Sequence, residues 1–106
     1  MNVVDRQVEA YNARDLEAFV ACYSEDIIVE DARGSVIASG RAGLRGEYGP
    51  FFIENPDLHA EVRHRSLVGE YIVDEEEIVG WHAELVRAVA IYHVANDLID
   101  HVRLIG

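Results

Sequence analysis

Few side chains in this sequence join a reactive group to an apolar setting. Glu30 and Asp31 close the run Ile27-Ile28-Val29, five tyrosines are spread along the chain, and the single cysteine, Cys22, follows Phe19 closely. A carboxylate beside an apolar strand becomes a base near neutrality only where lost solvation lifts its pKa above the free value of about 3.9. It can then take a proton from a carbon next to a carbonyl and return it elsewhere, provided hydrogen-bond donors await the developing oxyanion. Tyrosine hydroxyls and the Gln7 amide are the donors at hand.

Other chemistries lack their residues. His59 and His64 are five apart on one predicted strand and face opposite sides, and His82, His93 and His101 lie on separate segments, so no metal site is expected. Cys22 has no partner for an intrachain disulfide and reads as a small buried hydrophobe. No Gly-x-Ser-x-Gly elbow is present. Gly40, Gly43, Gly46 and Gly49 recur every third residue without the Gly-Lys-Ser/Thr ending of a phosphate loop. No cofactor is expected.

At 106 residues the chain is read as one domain, 1–106, large enough for a single core. The net charge is −11, and all nine basic residues are arginines scattered among acids. Such a surface repels phosphate backbones, so nucleic-acid binding is not expected. No apolar run approaches the ~20 residues of a membrane span. The opening MNVVDRQVEAY carries acidic and polar groups too early for a signal peptide, which makes the cytoplasm the expected compartment.

The reactive side chains must be positioned by helices first and strands afterwards. Helix one is predicted over Asn2 to Asn12, with Val4, Gln7, Val8 and Tyr11 on one side. Asp15 is a plausible N-cap for a second helix whose inward face is Leu16, Phe19, Val20 and Tyr23. Ile27–Val29 and Val36–Ala38 are short strands around a Gly34-Ser35 turn. A third helix starts near Gly40 and repeats Leu44, Tyr48 and Phe51-Phe52 at helical spacing; its glycines make it a weak helix that either walls a cavity or packs closely on the sheet.

From Leu58 onward the pattern is an antiparallel meander with turns at Gly69-Glu70, Gly80-Trp81 and Asn96-Asp97. Helices followed by hairpins indicate an α+β layer. Asp74-Glu75-Glu76-Glu77 puts like charges on both faces of a strand and is expected on an exposed edge or wet surface. With Tyr92 inward, Val94 shares its side; on the last strand, alternation points His101, Arg103 and Ile105 inward, and a slip of one residue would reverse them.

The stretch from Val8 to Tyr48 resembles the bacterial ketosteroid isomerases of the nuclear transport factor 2-like superfamily. The resemblance rests on Asn12-Ala13, Asp15-Leu16, Val20-Ala21, Val29-Glu30-Asp31, Gly34-Ser35, Ser39-Gly40, Arg45 and Tyr48 without a gap. The closing YHVANDLIDHVRLIG is similar to SnoaL-like members of that superfamily. The resemblance implies a cystatin-like cone, in which three N-terminal helices wrap a curved antiparallel sheet around a cavity. It also implies a homodimer through the outer sheet face. It makes Asp31 the proton-shuttling base and Tyr48 a support of the oxyanion network. It aligns Gln7 and Tyr92 with the isomerases' two oxyanion donors, a tyrosine and a protonated aspartate, so this chain departs from the pattern at both.

The resulting site is Asp31 and Tyr92 as catalytic groups, with Gln7, Tyr23, Tyr48, Phe52, Val94, His101 and Arg103 around a small apolar or carbonyl-containing ligand. Each has a plainer role beside it. Asp31 can bond the Arg33-Gly34 turn or pair with Arg33 or Arg103, and the tyrosines can complete a core. A cofactor-free isomerase or lyase, a non-catalytic ligand binder and a dimerisation module all remain open, because fold alone does not choose among them.

Overall fold

The computed structural model describes residues 2–106. Three helices precede most of the sheet: α1 (Val3–Ala13), α2 (Leu16–Val20) and, after β1 (Tyr23–Asp31) and β2 (Val36–Ser39), α3 (Gly40–Glu54). Four strands follow: β3 (His59–Val68), β4 (Tyr71–Val79), β5 (Val86–Ala95) and β6 (Leu98–Ile105). They form one six-stranded sheet in the order β2-β1-β6-β5-β4-β3. The expected antiparallel meander holds for β3 to β6, but β1 returns to pair parallel with β6, so the sheet is mixed. This is the cystatin-like α+β fold: a curved sheet with its helices on the concave side. No helix is long and apolar enough to cross a membrane.

Local chemistry accounts for the element ends. Asn2 and Asp5 form a reciprocal capping box on α1, and Asp15 caps α2 through the Ala18 amide. Asn96 and Asp97 both take positive φ in the two-residue loop between β5 and β6, as a twist-matched hairpin turn requires. Gly80 sits where a Cβ would fall 2.1 Å from the Asp57 carbonyl oxygen, and its φ is +78°, so no other residue fits without moving the chain. Asn12 clamps α1 to β3 by bonding both the N–H and the C=O of Ala60, at 2.7 and 2.9 Å.

The core lies between helices and sheet. Phe19, Ile27, Leu44, Leu58 and Ile99 are fully buried there. Cys22 is buried with them, its thiol directed at the Ala18 carbonyl, in keeping with a packing role. The α3 glycines serve both expected ends: Gly43 faces the Ala38 backbone and Gly49 faces Leu16, while Glu47, Tyr48 and Phe51 wall a cavity.

Two irregularities set which side chains point inward. On β6, His93 pairs with His101 and Val94 with Ile99, leaving Asp100 as an extra residue. One inserted residue reverses every side chain beyond it. Val102 and Leu104 therefore face the core, and His101 and Arg103 face the outer surface, opposite to simple alternation from Ile99. On β3 the same kind of shift at Arg63 turns Arg65 toward the inward face of β4.

The acidic run is also not where its charge suggested. β4 is interior to the sheet, between β3 and β5. Asp74 and Glu76 share the inward face with Ile72 and Ile78, and only Glu75 and Glu77 point away. Glu77 stays wet beside Arg63 and Arg87.

Candidate functional site

A cavity of about 340 Å³ opens between the helices and the concave sheet face. That lies within the roughly 300–1,000 Å³ typical of small-molecule sites. Small residues on the sheet create the space: Ala60, Ala88 and Ala90 stand where larger side chains would fill it. Ile78, Val86 and Leu104 complete an apolar wall, and six aromatic side chains (Tyr11, Tyr23, Tyr48, Phe51, Trp81 and Tyr92) form much of the rest. Trp81, in the loop after β4, is 42% exposed and packs edge-on against Phe51 at 5.4 Å, which makes it part of the cavity mouth.

The polar groups converge on Glu76. Tyr92, which pairs with Ile72 across β4 and β5, reaches along the inner face and donates a hydrogen bond from its hydroxyl to Glu76 Oε1 at 3.3 Å. Burial, reinforced by the negative charge of Asp74, pushes the Glu76 carboxyl up to about 7, against the smaller opposing effects of the Tyr92 hydrogen bond and Arg65. The hydroxyls of Tyr11, Tyr23, Tyr48 and Tyr92 are all within electrostatic reach of Glu76. Burial, the main cause in each case, pushes Tyr48 up to about 12 and holds the other three well above the ordinary tyrosine value. They enter any reaction near neutrality as hydrogen-bond donors. Gln7 lines the same cavity, is 6% exposed, and its Oε1 meets no partner among the described residues.

Asp74, two residues from Glu76, is balanced differently. Its exposure is 0%, and both its carboxylate oxygens accept from Arg65, at 2.6 and 2.9 Å. Arg65 also donates to Asp5 Oδ1 at 2.6 Å, and Asp5 Oδ2 accepts from the Asn2 amide. A chain of charge thus runs from the start of α1 to the inner face of β4.

Of the residues chosen from sequence, Asp31, Tyr92, Gln7, Tyr23 and Tyr48 line this cavity. Asp31 does so at the end of β1, with Oδ1 accepting from the amides of Arg33 and Ser35, both at 2.9 Å; the turn-bonding role is therefore present. Phe52 does not line the cavity, because it is buried against Tyr11, Phe19 and Tyr48. Val94 packs against the core outside it.

His101 and Arg103, expected inside, meet Glu30 on the other face. Arg103 donates to Glu30 Oε1 through both Nη2 and Nε, and His101 shares that oxygen at 2.9 Å. Arg103 is therefore spent on Glu30 and does not compensate Asp31. Ile105 does reach the cavity. Sequence reasoning passed over Glu76 because it sits in a run of four acids; the signal available was the alternation Ile72-Asp74-Glu76-Ile78, which carries the apolar face through the acids.

With this geometry in view, residues 4–102 match the family model of the SnoaL-like domain. The chain belongs to the SnoaL-like family, within the nuclear transport factor 2-like superfamily. Its fold is similar to that of a cystatin-fold protein from Novosphingobium aromaticivorans, with 26% identity, a TM-score of 0.92, and coverage of 100% of this chain and 99% of that one. It is also similar to a candidate polyketide cyclase from Sinorhizobium meliloti, at 16% identity and a TM-score of 0.85, covering 96% and 92% of the two chains. A candidate ketosteroid isomerase from Kribbella flavida matches at 23% identity and a TM-score of 0.78, covering 97% and 73%. Identities this low fix the SnoaL-like fold and leave the reaction to the cavity. Among the described residues of this SnoaL-like domain, no three His, Cys, Asp or Glu side chains are grouped to hold a metal ion.

Proposed function

We propose that this SnoaL-like protein is a cofactor-free proton-transfer enzyme acting beside the carbonyl of a small apolar compound, with Glu76 as the proton carrier. The observation that carries the reading is a carboxyl set in an apolar cavity and hydrogen-bonded to Tyr92, where burial pushes it up to about 7. A base poised near ambient pH combines a usable ionised fraction with enough basicity to act on carbon. The ionised carboxylate takes the proton: the C–H bond breaks, an O–H bond forms on Glu76, and the electron pair moves to the carbonyl oxygen. Tyrosine hydroxyls around the cavity donate to that oxygen, and Glu76 returns the proton to the same or another carbon. The ketosteroid isomerases are the established example of such a site, with an aspartate as base.

Asp31 remains the base in the reading drawn from sequence resemblance, and two variants separate the assignments. Double-bond migration in a small β,γ-unsaturated ketone would be followed by ultraviolet absorbance for wild type, Glu76→Gln and Asp31→Asn. Loss of at least about a hundredfold in Glu76→Gln, with Asp31→Asn within about tenfold of wild type, is the expected result. The reverse order returns the role to Asp31. Absence of turnover in wild type leaves ligand binding without chemistry, which one observation favours: among the described residues, no cation lines the cavity to offset an enolate. We further propose a homodimer through the outer sheet face, where Val73, Val89 and Ile91 point away from the core; light scattering would read it directly.

A further inference from the structure

The charges around the cavity are all of one sign. Asp31, Glu47 and Glu76 line it, and no Arg, Lys or His does so among the described residues. Arg65, the cation whose charge acts on Glu76, is engaged by Asp74 and Asp5. A carboxylate or phosphate ligand would enter against three acids, with nothing to pair it, in a protein of net charge −11. The aromatic walls add the electron-rich faces of Tyr, Phe and Trp rings, which attract organic cations. Gln7 supplies the independent sign that something is missing. A buried acceptor without a donor forfeits the bond it made to water, and Gln7 Oε1 meets no donor among the described residues.

We infer that the natural ligand of this cavity carries a basic nitrogen on a compact apolar body, and that it binds as an ammonium paired with the Glu76 carboxylate. A neutral amine reaching the site accepts the Glu76 proton: the O–H bond breaks, an N–H bond forms on the nitrogen lone pair, and an ammonium–carboxylate pair remains. The N–H donors answer both Glu76 and the Gln7 oxygen, while the apolar body rests on Ile78, Ala88 and Leu104. An alcohol would satisfy Gln7 alone and make no use of the aromatic faces or the acidic lining. This inference rests on Glu76 as the proton-carrying group of the cavity, and does not require turnover.

Three probes of one shape test it: 1-cyclohexylethylamine, cyclohexyl methyl ketone and cyclohexanecarboxylate, titrated calorimetrically between pH 5.5 and 8.5. The groups facing Glu76 are Asp74 on its own strand, Tyr92 on β5, Arg65 on β3, Tyr11 on α1, Tyr23 on β1 and Tyr48 on α3. Glu76 is the one expected to titrate in this range. Below about pH 7 the amine, already an ammonium in water, must displace the Glu76 proton to solvent. Its affinity should therefore rise about tenfold per pH unit up to about 7 and level off above. The carboxylate should not bind, and Glu76→Gln should weaken the amine by at least about thirtyfold at pH 8, with circular dichroism confirming the fold.

An amine that fails to bind at millimolar concentration, or binds without this pH profile, overturns the inference; so does a carboxylate that binds as well. Deuterium exchange into the ketone is scored on the same protein. Amine selectivity without exchange removes only the proton-transfer reading, and exchange without amine selectivity removes only this one.

Discussion

Asp74 and Glu76 stand two residues apart on the inward face of β4, and their surroundings separate them completely. Asp74 is sealed from solvent and held by Nε and Nη2 of the Arg65 guanidinium. Glu76 opens onto the cavity, and its one hydrogen-bond partner among the described residues is the neutral hydroxyl of Tyr92. The first is a fully compensated charge whose removal from water is offset by two charge-assisted hydrogen bonds. The second lacks a cation, so burial is answered by protonation. The same residue class on one strand therefore yields a structural strut and a titrating group, according to what faces it from β3 and β5.

Breaking the strut should have the largest effect. Arg65→Met leaves Asp74 buried without its cation and should destabilise the fold by about 3–5 kcal/mol, read by urea unfolding at pH 7. It should also move Glu76 to still higher pH, because Arg65 opposes the rise.

The next test removes the titrating group. The Glu76 carboxyl is raised from 4.5 to about 7 on folding, so below pH 4.5 both states carry its proton and its full contribution is present. As pH climbs through 7 the unfolded chain has released the proton and the folded one gives it up late, so stability falls by about 3 kcal/mol over that interval. Glu76→Gln should flatten this fall and be more stable than wild type at pH 8.

Two smaller effects refine the contrast. Tyr92→Phe removes the hydrogen bond that favours the ionised form and should shift the Glu76 titration upward, visible in its side-chain carbon NMR signal, at a stability cost of about 1 kcal/mol. Asp5→Asn loosens the outer end of the chain. Its hydrogen bond from Arg65 holds the Asp5 carboxyl below the usual range, so its contribution is present above the unfolded pKa and lost as pH falls through the folded one. The pair is partly solvated, and the loss at pH 7 should be about 0.5–1 kcal/mol in denaturant melts.

Much of the architecture is written in short-range chemistry. The Asp15 cap, the Asn96-Asp97 turn and the meander that follows the last helix all follow from residue type and spacing, and the structure carries each one. Tyr92 could be assigned because alternation along β5 runs without interruption from Val86 to Tyr92. The last strand could not be assigned in the same way. Nothing local to Leu98–Ile105 announces that Asp100 is looped out between the pairings to Val94 and His93. Without that insertion His101 and Arg103 would face the cavity; with it they close on Glu30.

The sequence by itself determined that this chain would form capped helices and then a twisted sheet enclosing aromatic hydroxyls, because helix caps, turn residues and apolar periodicity act over a few residues. Only the tertiary structure decided which carboxylate became chemically interesting. A carboxyl's acidity depends on desolvation and on the charges and hydrogen-bond donors packed around it, here Asp74 on the same strand, Arg65 from β3 and Tyr92 from β5. Those neighbours are set by strand order and by the inserted residue at Arg63, which a reading of strict alternation passes over.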